Sequence, residues 1–194
     1  MLTERQQLCA LIVSKSDRTP EAIGPILTMN GIGKILRAQS AGEARRTVMS
    51  RVVDIAIINT PLSDDFGIQL AIELSERNIC VLTFVKGDRY EQIAYKREEY
   101  GVITLAKPVD RASLVLSVRL LKAMRAKLVK METQHSSLES KMREIRLVNR
   151  AKLLLVERLS MTEEEAHRFI EKQAMDSCVK KSEIAENIIK TYEI

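Results

Sequence analysis

The sequence predicts an α/β protein with a five-stranded, doubly wound parallel sheet in its first half and a helical second half. Within the first 110 residues, short apolar runs of strand length alternate five times with amphipathic stretches. After Lys107-Pro108 these runs end, and one helical pattern continues from about residue 111 to residue 158 without Gly or Pro. Two short amphipathic helices follow. We therefore predict an α/β domain at 1–110, a coiled-coil helix at 111–145 and a small three-helix domain at 146–194.

The elements of the first half follow from local patterns. Residues 8–13 form an apolar run of strand length, and Thr19 followed by Pro20 indicates a helix with Thr19 as its N-cap. Ser40 and Glu43 have the spacing of a capping box, which predicts a helix to about residue 50. The other predicted elements are strands at 34–36, 52–58, 79–85 and 102–105, and helices at 68–77 and 90–99.

The long helical segment carries a stripe with the spacing of a coiled-coil seam. Its members lie alternately three and four residues apart. They are Leu121, Met124, Leu128, Met131, His135, Leu138, Met142 and Ile145. A polar step at His135 favours a register-setting position over a pH sensor or a ligand-binding residue. We expect a parallel homodimer, because the chain offers no second helix of matching length.

Capping signals and apolar faces organise the last segment. Overlapping capping boxes at Ser160/Glu163 and Thr162/Glu165 predict a helix that begins at 161–163, and Ser177 or Ser182 is the expected cap of the last helix. The apolar positions of the three helices are expected in one core: Val148, Ala151, Leu154, Leu155, Ala166, Phe169, Ile170, Ala174, Ile184, Ala185, Ile188 and Ile189.

The amino-acid composition limits the classes of function that this chain can have. The chain has 194 residues, 45% of them hydrophobic, and its 4% of aromatic residues without Trp argues against an aromatic stacking platform. It has no signal-like N-terminus and no apolar run of the roughly 18 residues of a membrane span, so we expect a soluble, cytoplasmic protein without membrane contact. Cys9, Cys80 and Cys178 match no metal spacing and are expected to be thiols in a reducing compartment.

Charge is concentrated in one region. The net charge is +5, and residues 119–152 alone contain 10 basic and 3 acidic residues. Such an excess on one helix indicates a surface for a polyanion or a solvated flank of a coiled coil, and charge alone does not separate the two.

The first domain resembles the receiver domain of two-component response regulators over about residues 5–120. The resemblance rests on the loop from Asn59 to Gly67, on Thr83 at the end of the fourth predicted strand, and on Lys107-Pro108 after the fifth. It implies the receiver, or flavodoxin-like, form of the doubly wound fold. It also aligns Asn59 with the position of that family's phosphorylated aspartate.

Groups that aspartyl phosphorylation requires are missing. A neutral amide is a poor nucleophile, so Asn59 is not expected to accept a phosphoryl group. The acidic pair that holds Mg²⁺ in the family maps onto Ser14 and Lys15, and an ammonium repels a cation. Asp17 is a nearby acid outside the matching positions. The domain is therefore predicted to be a pseudo-receiver.

Two of the family's other groups are retained. Thr83 and Lys107 are present, whereas Thr104 stands where the family has an aromatic switch residue. Lys107 is expected to bond Asn59 or a carbonyl at a strand end. The input to such a domain is expected to be a partner protein, with a ligand in the remodelled pocket or phosphorylation elsewhere as alternatives.

The last segment resembles the ANTAR domain of transcription antitermination regulators over about residues 138–191. The matching residues are Ala151-Lys152, Glu164-Glu165-Ala166 with Ile170, Ala174-Met175-Asp176, and Glu183-Ile184-Ala185-Glu186 with Ile188-Ile189. Leu153 stands where the family often has Gly, and Ile145 where it commonly has Arg. The resemblance implies that two copies hold two stem-loops of leader RNA and disfavour the terminator hairpin. It also implies that a small-molecule-sensing partner protein can hold such a regulator inactive.

Seven basic residues are the candidate RNA contacts, because cationic side chains anchor RNA phosphates. Lys152 comes from the ANTAR pattern, and the others from charge and expected exposure. The candidates are Arg146, Arg150, Lys152, Arg168, Lys172, Lys180 and Lys181.

Two other functions stay open. Residues 181–188 resemble the first helix of a helix-turn-helix, as in DNA-binding response regulators. Only six residues follow, ending with Tyr192, Glu193 and Ile194, so no recognition helix is expected. A dimeric signalling scaffold without nucleic acid is the second alternative. The sequence shows no catalytic constellation, phosphate loop or metal cluster, and we predict neither enzymatic activity nor a cofactor.

Overall fold

The computed structural model describes residues 7–87 and 99–192. The chain divides into two compact units, Met1–Val129 and Lys130–Ile194. The division falls within a long helix that was predicted to start at about residue 111.

The first unit contains the predicted five-stranded parallel sheet, in the order β2-β1-β3-β4-β5. Its strands are β1 (Cys9–Val13), β2 (Lys34–Ala38), β3 (Ile55–Asn59), β4 (Cys80–Lys86) and β5 (Ile103–Lys107). The order reverses between β1 and β3. At this point of a doubly wound sheet the following helices leave on opposite faces, so a crevice opens beyond the carboxyl ends of the strands.

Both faces of the sheet are buried, which explains the near-continuous apolar runs of its strands. On one face, Leu11 and Val13 of β1 pack in a cluster with residues of helices α2 (Ala41–Ser50) and α3 (Ile68–Glu76). On the other face, Ala10 and Ile12 pack with residues of α1 (Arg18–Met29) and of the long helix α4 (Arg111–Leu159). The fold class predicted from the sequence is confirmed.

The predicted cap of α2 is present in a modified form. The Ser40 hydroxyl accepts the backbone N–H of Glu43 at 3.1 Å. The Glu43 carboxylate accepts the N–H of Gln39, one residue before the cap, at 2.7 Å. Both bonds satisfy backbone donors at the helix start.

The predicted first residues of one helix and one strand are wrong. Helix α1 begins at Arg18 after Asp17, and Thr19 lies in its first turn, where its hydroxyl accepts a hydrogen bond from another side chain. Strand β3 begins at Ile55 and not at residue 52. The backbone of Asp54, just before it, bonds both neighbouring strands: its N–H donates to Cys9 and its carbonyl accepts from Cys80. Of the helix predicted at 90–99, only Glu99 lies within the described residues.

The first part of α4 belongs to the first unit and packs on its sheet, so the predicted dimer seam is wrong at Leu121. Leu121 is fully buried in the cluster that includes Ala10 and Ile12. Met124 and Leu128 pack against the same cluster. Because the core of the monomer already covers Leu121, this residue cannot also contact a second copy.

The second unit is a three-helix arrangement of the end of α4 with α5 (Glu163–Asp176) and α6 (Lys181–Tyr192). Ala151 and Leu155 of α4 are buried in one cluster with residues of α5 and α6. The buried members from α5 and α6 are Ala166, Ile170, Ala185 and Ile188. Small alanines at the contacts allow short helices to approach closely.

One predicted cap of this unit is present and the others are wrong. Thr162 and Glu165 form a full capping box at the start of α5. Ser160 adopts a φ of 54° and does not cap a helix with Glu163. Ser177 follows α5 as its C-cap, and Ser182 lies inside the first turn of α6.

Candidate functional site

The residues aligned with a receiver's phosphorylation site lie at the carboxyl edge of the sheet. Asn59 ends β3, Lys107 ends β5, and Ser14 and Lys15 follow β1. Parallel strands bring these ends to one edge of the sheet. We call Ser14, Lys15, Asn59 and Lys107 the carboxyl-edge site.

Asn59 is held by two hydroxyl groups. Its Nδ2 donates to Thr19 Oγ1 at 2.7 Å and to Ser14 Oγ at 3.2 Å. Ser14 is buried, and its hydroxyl donates to the Ser16 carbonyl at 3.0 Å. The amide therefore ties β3 to the first turn of α1. Thr19 was not predicted in this site, because the sequence marked it only as a helix cap.

Lys107 bonds a carbonyl, which confirms one of its two predicted partners. Its Nζ donates to the backbone oxygen of Thr60, the residue after β3. Burial lowers the pKa of Lys107, and the positive charges of Lys15 and Lys86 lower it further. Lys86 is the second residue that sequence analysis missed: it is the paired neighbour of Lys107 across β4 and β5.

Thr83, predicted to end the fourth strand, is instead buried three residues before the end of that strand. Thr83 lies within β4, beside Ile58 of β3. Its hydroxyl lies 3.1 Å from the hydroxyl of Thr104 and 3.4 Å from the carbonyl of Ile103. The position of the family's aromatic switch residue is thus joined directly to Thr83 by a short polar contact.

Two further acids, Asp17 and Asp64, lie in the segments that follow β1 and β3, near this edge of the sheet. Asp17 precedes α1, and its side chain makes no capping hydrogen bond. Asp64 accepts the backbone N–H groups of Ala41 and Gly42 at 2.8 and 2.9 Å, and these bonds lower its pKa. No cluster of three or more His, Cys, Asp or Glu side chains in residues 7–87 and 99–192 could hold a metal ion.

Ion pairs are formed by the candidate RNA contacts Lys152, Arg168 and Lys181 of the second unit. Lys152 Nζ lies 2.8 Å from Glu163 Oε1, and its side chain is only 16% exposed. Arg168 pairs with Glu164 one turn earlier on α5. Lys181 pairs with Glu171 and so connects α6 to α5.

The other candidates lie on the surface. Arg146 and Arg150 are exposed on α4, four residues apart, and Lys172 and Lys180 are exposed on and after α5. Arg143, also exposed, extends the α4 pair by one turn. Residues three and four apart share one face of a helix, so these three arginines form a basic ridge.

Comparisons with known proteins give matches for each of the two units. Residues 136–189 match the family model described as the ANTAR domain, two residues earlier at each end than the resemblance in the sequence suggested. The transcriptional regulatory protein PdtaR of Mycobacterium tuberculosis is 24% identical over 139 residues, which cover 71% of this chain and 68% of that protein.

Solved receiver structures share the fold of the first unit. A response regulator receiver domain protein from Clostridium thermocellum has a TM-score of 0.55 at 18% identity, covering 63% of this chain and 98% of its own. The signal receiver domain of an HD domain-containing protein from Pseudomonas fluorescens Pf-5 has a TM-score of 0.58 at 20% identity, with 67% and 97% covered. At these identities the likeness is one of fold. In the described residues, no helix is long and apolar enough to cross a membrane.

Proposed function

From its ANTAR domain, which follows a domain of receiver fold, we propose that this transcription regulator is an RNA-binding antiterminator. In this proposal a dimer binds two stem-loops in the leader of a nascent transcript. RNA held in that form cannot pair into the overlapping terminator hairpin, so RNA polymerase continues. The match of residues 136–189 to the ANTAR family carries the proposal.

The exposed basic residues of the second unit support binding to RNA phosphates. Arg143, Arg146 and Arg150 line one face of α4, and Lys180 lies in the turn before α6. The unpaired bases in the loop of a stem-loop can be splayed out and read while cationic side chains hold the backbone. We assign the basic ridge the role of phosphate anchor.

The ion-paired candidates have two different roles in this proposal. Arg168 and Glu164 are both 75% exposed, and an exposed pair is worth about 0–1 kcal/mol, so Arg168 can exchange its carboxylate for a phosphate at little cost. Lys152 is largely buried between α4 and α5. We therefore assign Lys152 a positioning role: it sets the start of α5 against α4 and contacts no phosphate.

The exposed part of the predicted seam supports a dimer. Met131, Leu138, Met142 and Ile145 are 54–60% exposed on α4. Large apolar side chains repeated along one helix face favour association with a second helix. His135 lies within this stretch and its Nδ1 is 3.5 Å from Glu139. We propose that residues 131–145 form the seam, and that two paired ANTAR domains gain affinity for two loops on one RNA by effective concentration.

The carboxyl-edge site supports regulation without aspartyl phosphate. Asn59 lacks a nucleophilic oxygen and its amide group is bonded to Ser14 and Thr19. Lys15 occupies the place of a metal-binding acid. We propose that a sensor protein or a ligand regulates this chain.

RNA binding is tested by fluorescence anisotropy with the leader of the gene's own operon. We expect tight binding that weakens steeply as salt rises. The double variant Arg146→Gln, Arg150→Gln should reduce the log–log salt slope by roughly 1.4–1.8, because each lost phosphate contact removes about 0.7–0.9. The matched control is Arg37→Gln, Arg51→Gln, which removes two exposed arginines from the first unit.

The outcomes separate the competing functions. If both double variants lose the same RNA affinity, RNA binds to positive charge in general and not to a defined site. Preference for duplex DNA over leader RNA would favour a DNA-binding regulator. No affinity for either nucleic acid would leave a signalling scaffold. Readthrough of the terminator in a purified transcription reaction completes the test of antitermination.

The dimer is tested by sedimentation equilibrium. Leu138→Glu with Met142→Glu should give a monomer, since two carboxylates enter the seam. Leu116→Glu is the control, because Leu116 is equally exposed on α4 but lies in the first unit outside the stripe. A wild-type chain that sediments as a monomer, or a double variant that remains a dimer, contradicts the seam.

A further inference from the structure

The carboxyl edge of the sheet carries an unusual group of positive charges. Lys86 and Lys107 end neighbouring strands in direct register, and Lys15 follows β1. Among the described residues, no carboxylate forms an ion pair with any of the three. We call these residues the lysine group.

The lysines are close enough to act on one another. The positive charges of Lys15 and Lys86 both lower the pKa of Lys107, after the larger effect of its burial. Like charges gathered at one edge repel each other. A bound anion at this edge would relieve the repulsion, whereas a metal cation would increase it.

A threonine hydroxyl and a helix N-terminus lie at the same edge of the sheet as the lysine group. Asn59 Nδ2 donates to Thr19 Oγ1 at 2.7 Å, so Thr19 accepts that bond and can donate its own hydroxyl hydrogen outward. Thr19 lies in the first turn of α1, a helix of 12 residues. The N-terminus of such a helix carries a partial positive charge.

The position in the fold is one where ligands bind. The strand order reverses between β1 and β3, and Lys15, Thr19 and Asn59 lie next to this reversal. Open α/β sheets bind ligands at the carboxyl ends of the strands at such a switch point. Phosphate groups are a common ligand of basic side chains combined with a helix N-terminus.

We propose that the carboxyl edge of the sheet binds a phosphate-bearing small molecule, held without a covalent bond by Lys15, Lys107 and Thr19, with Lys86 at its rim. Binding replaces phosphoryl transfer here, because Asn59 offers no nucleophile. This inference names the ligand class for the regulatory part of the proposed function. It rests on that function only for its effect on RNA binding.

The test is calorimetric titration of the full chain with inorganic phosphate, at constant ionic strength maintained with chloride and in the absence of RNA. We expect saturable binding. Lys15→Gln and Lys107→Gln should each weaken it about tenfold, the value of one charge-assisted hydrogen bond. Lys34→Gln is the matched control, because Lys34 begins β2 and lies at the opposite edge of the sheet.

A second variant distinguishes the loss of positive charge from a loss of folded structure. Lys107→Arg keeps the positive charge and should bind phosphate within a few-fold of wild type, and thermal unfolding by circular dichroism shows whether each variant is folded. Absence of saturable phosphate binding, or equal loss in Lys15→Gln and Lys34→Gln, overturns the proposal. So does binding of polyglutamate in preference to phosphate, which would assign the edge to an acidic protein partner. Because RNA is absent, failure here leaves the antiterminator proposal standing, and failure of RNA binding leaves this site standing.

Discussion

Asp54 Oδ1 accepts a hydrogen bond from Arg125 Nε at 2.9 Å, with only 13% and 15% of the two side chains exposed. The second carboxylate oxygen of Asp54 accepts the backbone N–H of Cys9 at 2.8 Å. One carboxylate therefore joins the start of β1, the start of β3 and the long helix α4. Lys122, one turn earlier on α4, donates to the carbonyl of Asn30 and adds a second attachment.

Removing one partner of this ion pair should destabilise the first unit. Arg125→Ala leaves a largely buried carboxylate without its cation, and the loss of one partner of a buried pair costs about 3–5 kcal/mol. Urea unfolding followed by circular dichroism measures the change. Arg119→Ala, at an exposed position of the same helix, should change the free energy of unfolding by less than about 0.5 kcal/mol. Equal effects of the two variants would show that the pair contributes nothing specific.

Restoring the aspartate alone should not restore phosphorylation. Asn59→Asp supplies a nucleophile, but Ser14 and Lys15 still provide no carboxylate for Mg²⁺. We expect no covalent phosphate after incubation with acetyl phosphate and Mg²⁺, measured by intact-mass spectrometry. The triple variant Ser14→Asp, Lys15→Asp, Asn59→Asp supplies both missing parts and should gain one phosphoryl group. Phosphorylation of the single variant would show that Lys15 does not block the metal.

Gly67 is required by both its backbone conformation and its surroundings. It precedes α3 with a φ of 79°, and a Cβ at this position would lie 3.0 Å from Ile58 Cγ2 and 3.2 Å from Thr60 Cγ2. Gly67→Ala should therefore cost more than the roughly 1–2 kcal/mol of the left-handed conformation alone. Gly101→Ala is the matched control, with a φ of 70° and no atom within 4 Å of its Cβ. The difference between the two in urea unfolding isolates the steric part, and equal costs would mean that Ile58 and Thr60 move aside.

Acid should weaken the second unit. A hydrogen bond from Lys152 lowers the pKa of Glu163, the backbone N–H of Thr162 lowers that of Glu165, and Lys181 lowers that of Glu171. Since these pKa values are lower in the folded than in the unfolded chain, the carboxylates stabilise the fold above their ordinary value of 4.5, and this stabilisation is lost as the pH falls through the folded pKa.

The measurement is thermal unfolding by circular dichroism between about pH 3 and 7. The temperature at the midpoint of unfolding of the second unit should decrease when the pH falls below about 4.5. The triple variant Glu163→Gln, Glu165→Gln, Glu171→Gln should have a lower unfolding temperature at pH 7, and this temperature should depend less on pH than that of the wild type. A wild-type midpoint that stays constant down to pH 3 would contradict these assignments.

Local signals were sufficient where a structure depends on neighbours in sequence. The Ser40 cap of α2 and the capping box of Thr162 and Glu165 lie within four residues and were predicted correctly. Caps were mispredicted where a distant side chain competes for the same group. Thr19 is an example, because its hydroxyl bonds Asn59, 40 residues away. Glu163 is another, because its carboxylate bonds Lys152.

The predicted seam likewise combines a pattern that the sequence shows with a burial that only the packing shows. Its spacing of three and four residues continues unchanged from Leu121 to Ile145, so periodicity alone does not show where the stripe changes partner. Packing on the sheet buries Leu121 and leaves Leu138 exposed. The RNA candidates were likewise chosen by charge, and charge does not distinguish the paired Lys152 from the exposed Arg146.

By itself, the sequence determined the alternation of strands and helices, the replacement of the phosphoacceptor by Asn59 and the order of the ANTAR motif, because these are properties of residue type and spacing along the chain. Only the tertiary structure decided that Lys86 joins Lys15 and Lys107 at one edge, and that Asp54 holds Arg125. Strand register and helix packing bring together residues tens of positions apart, and their distances determine which charges repel, which pair, and which remain for a ligand.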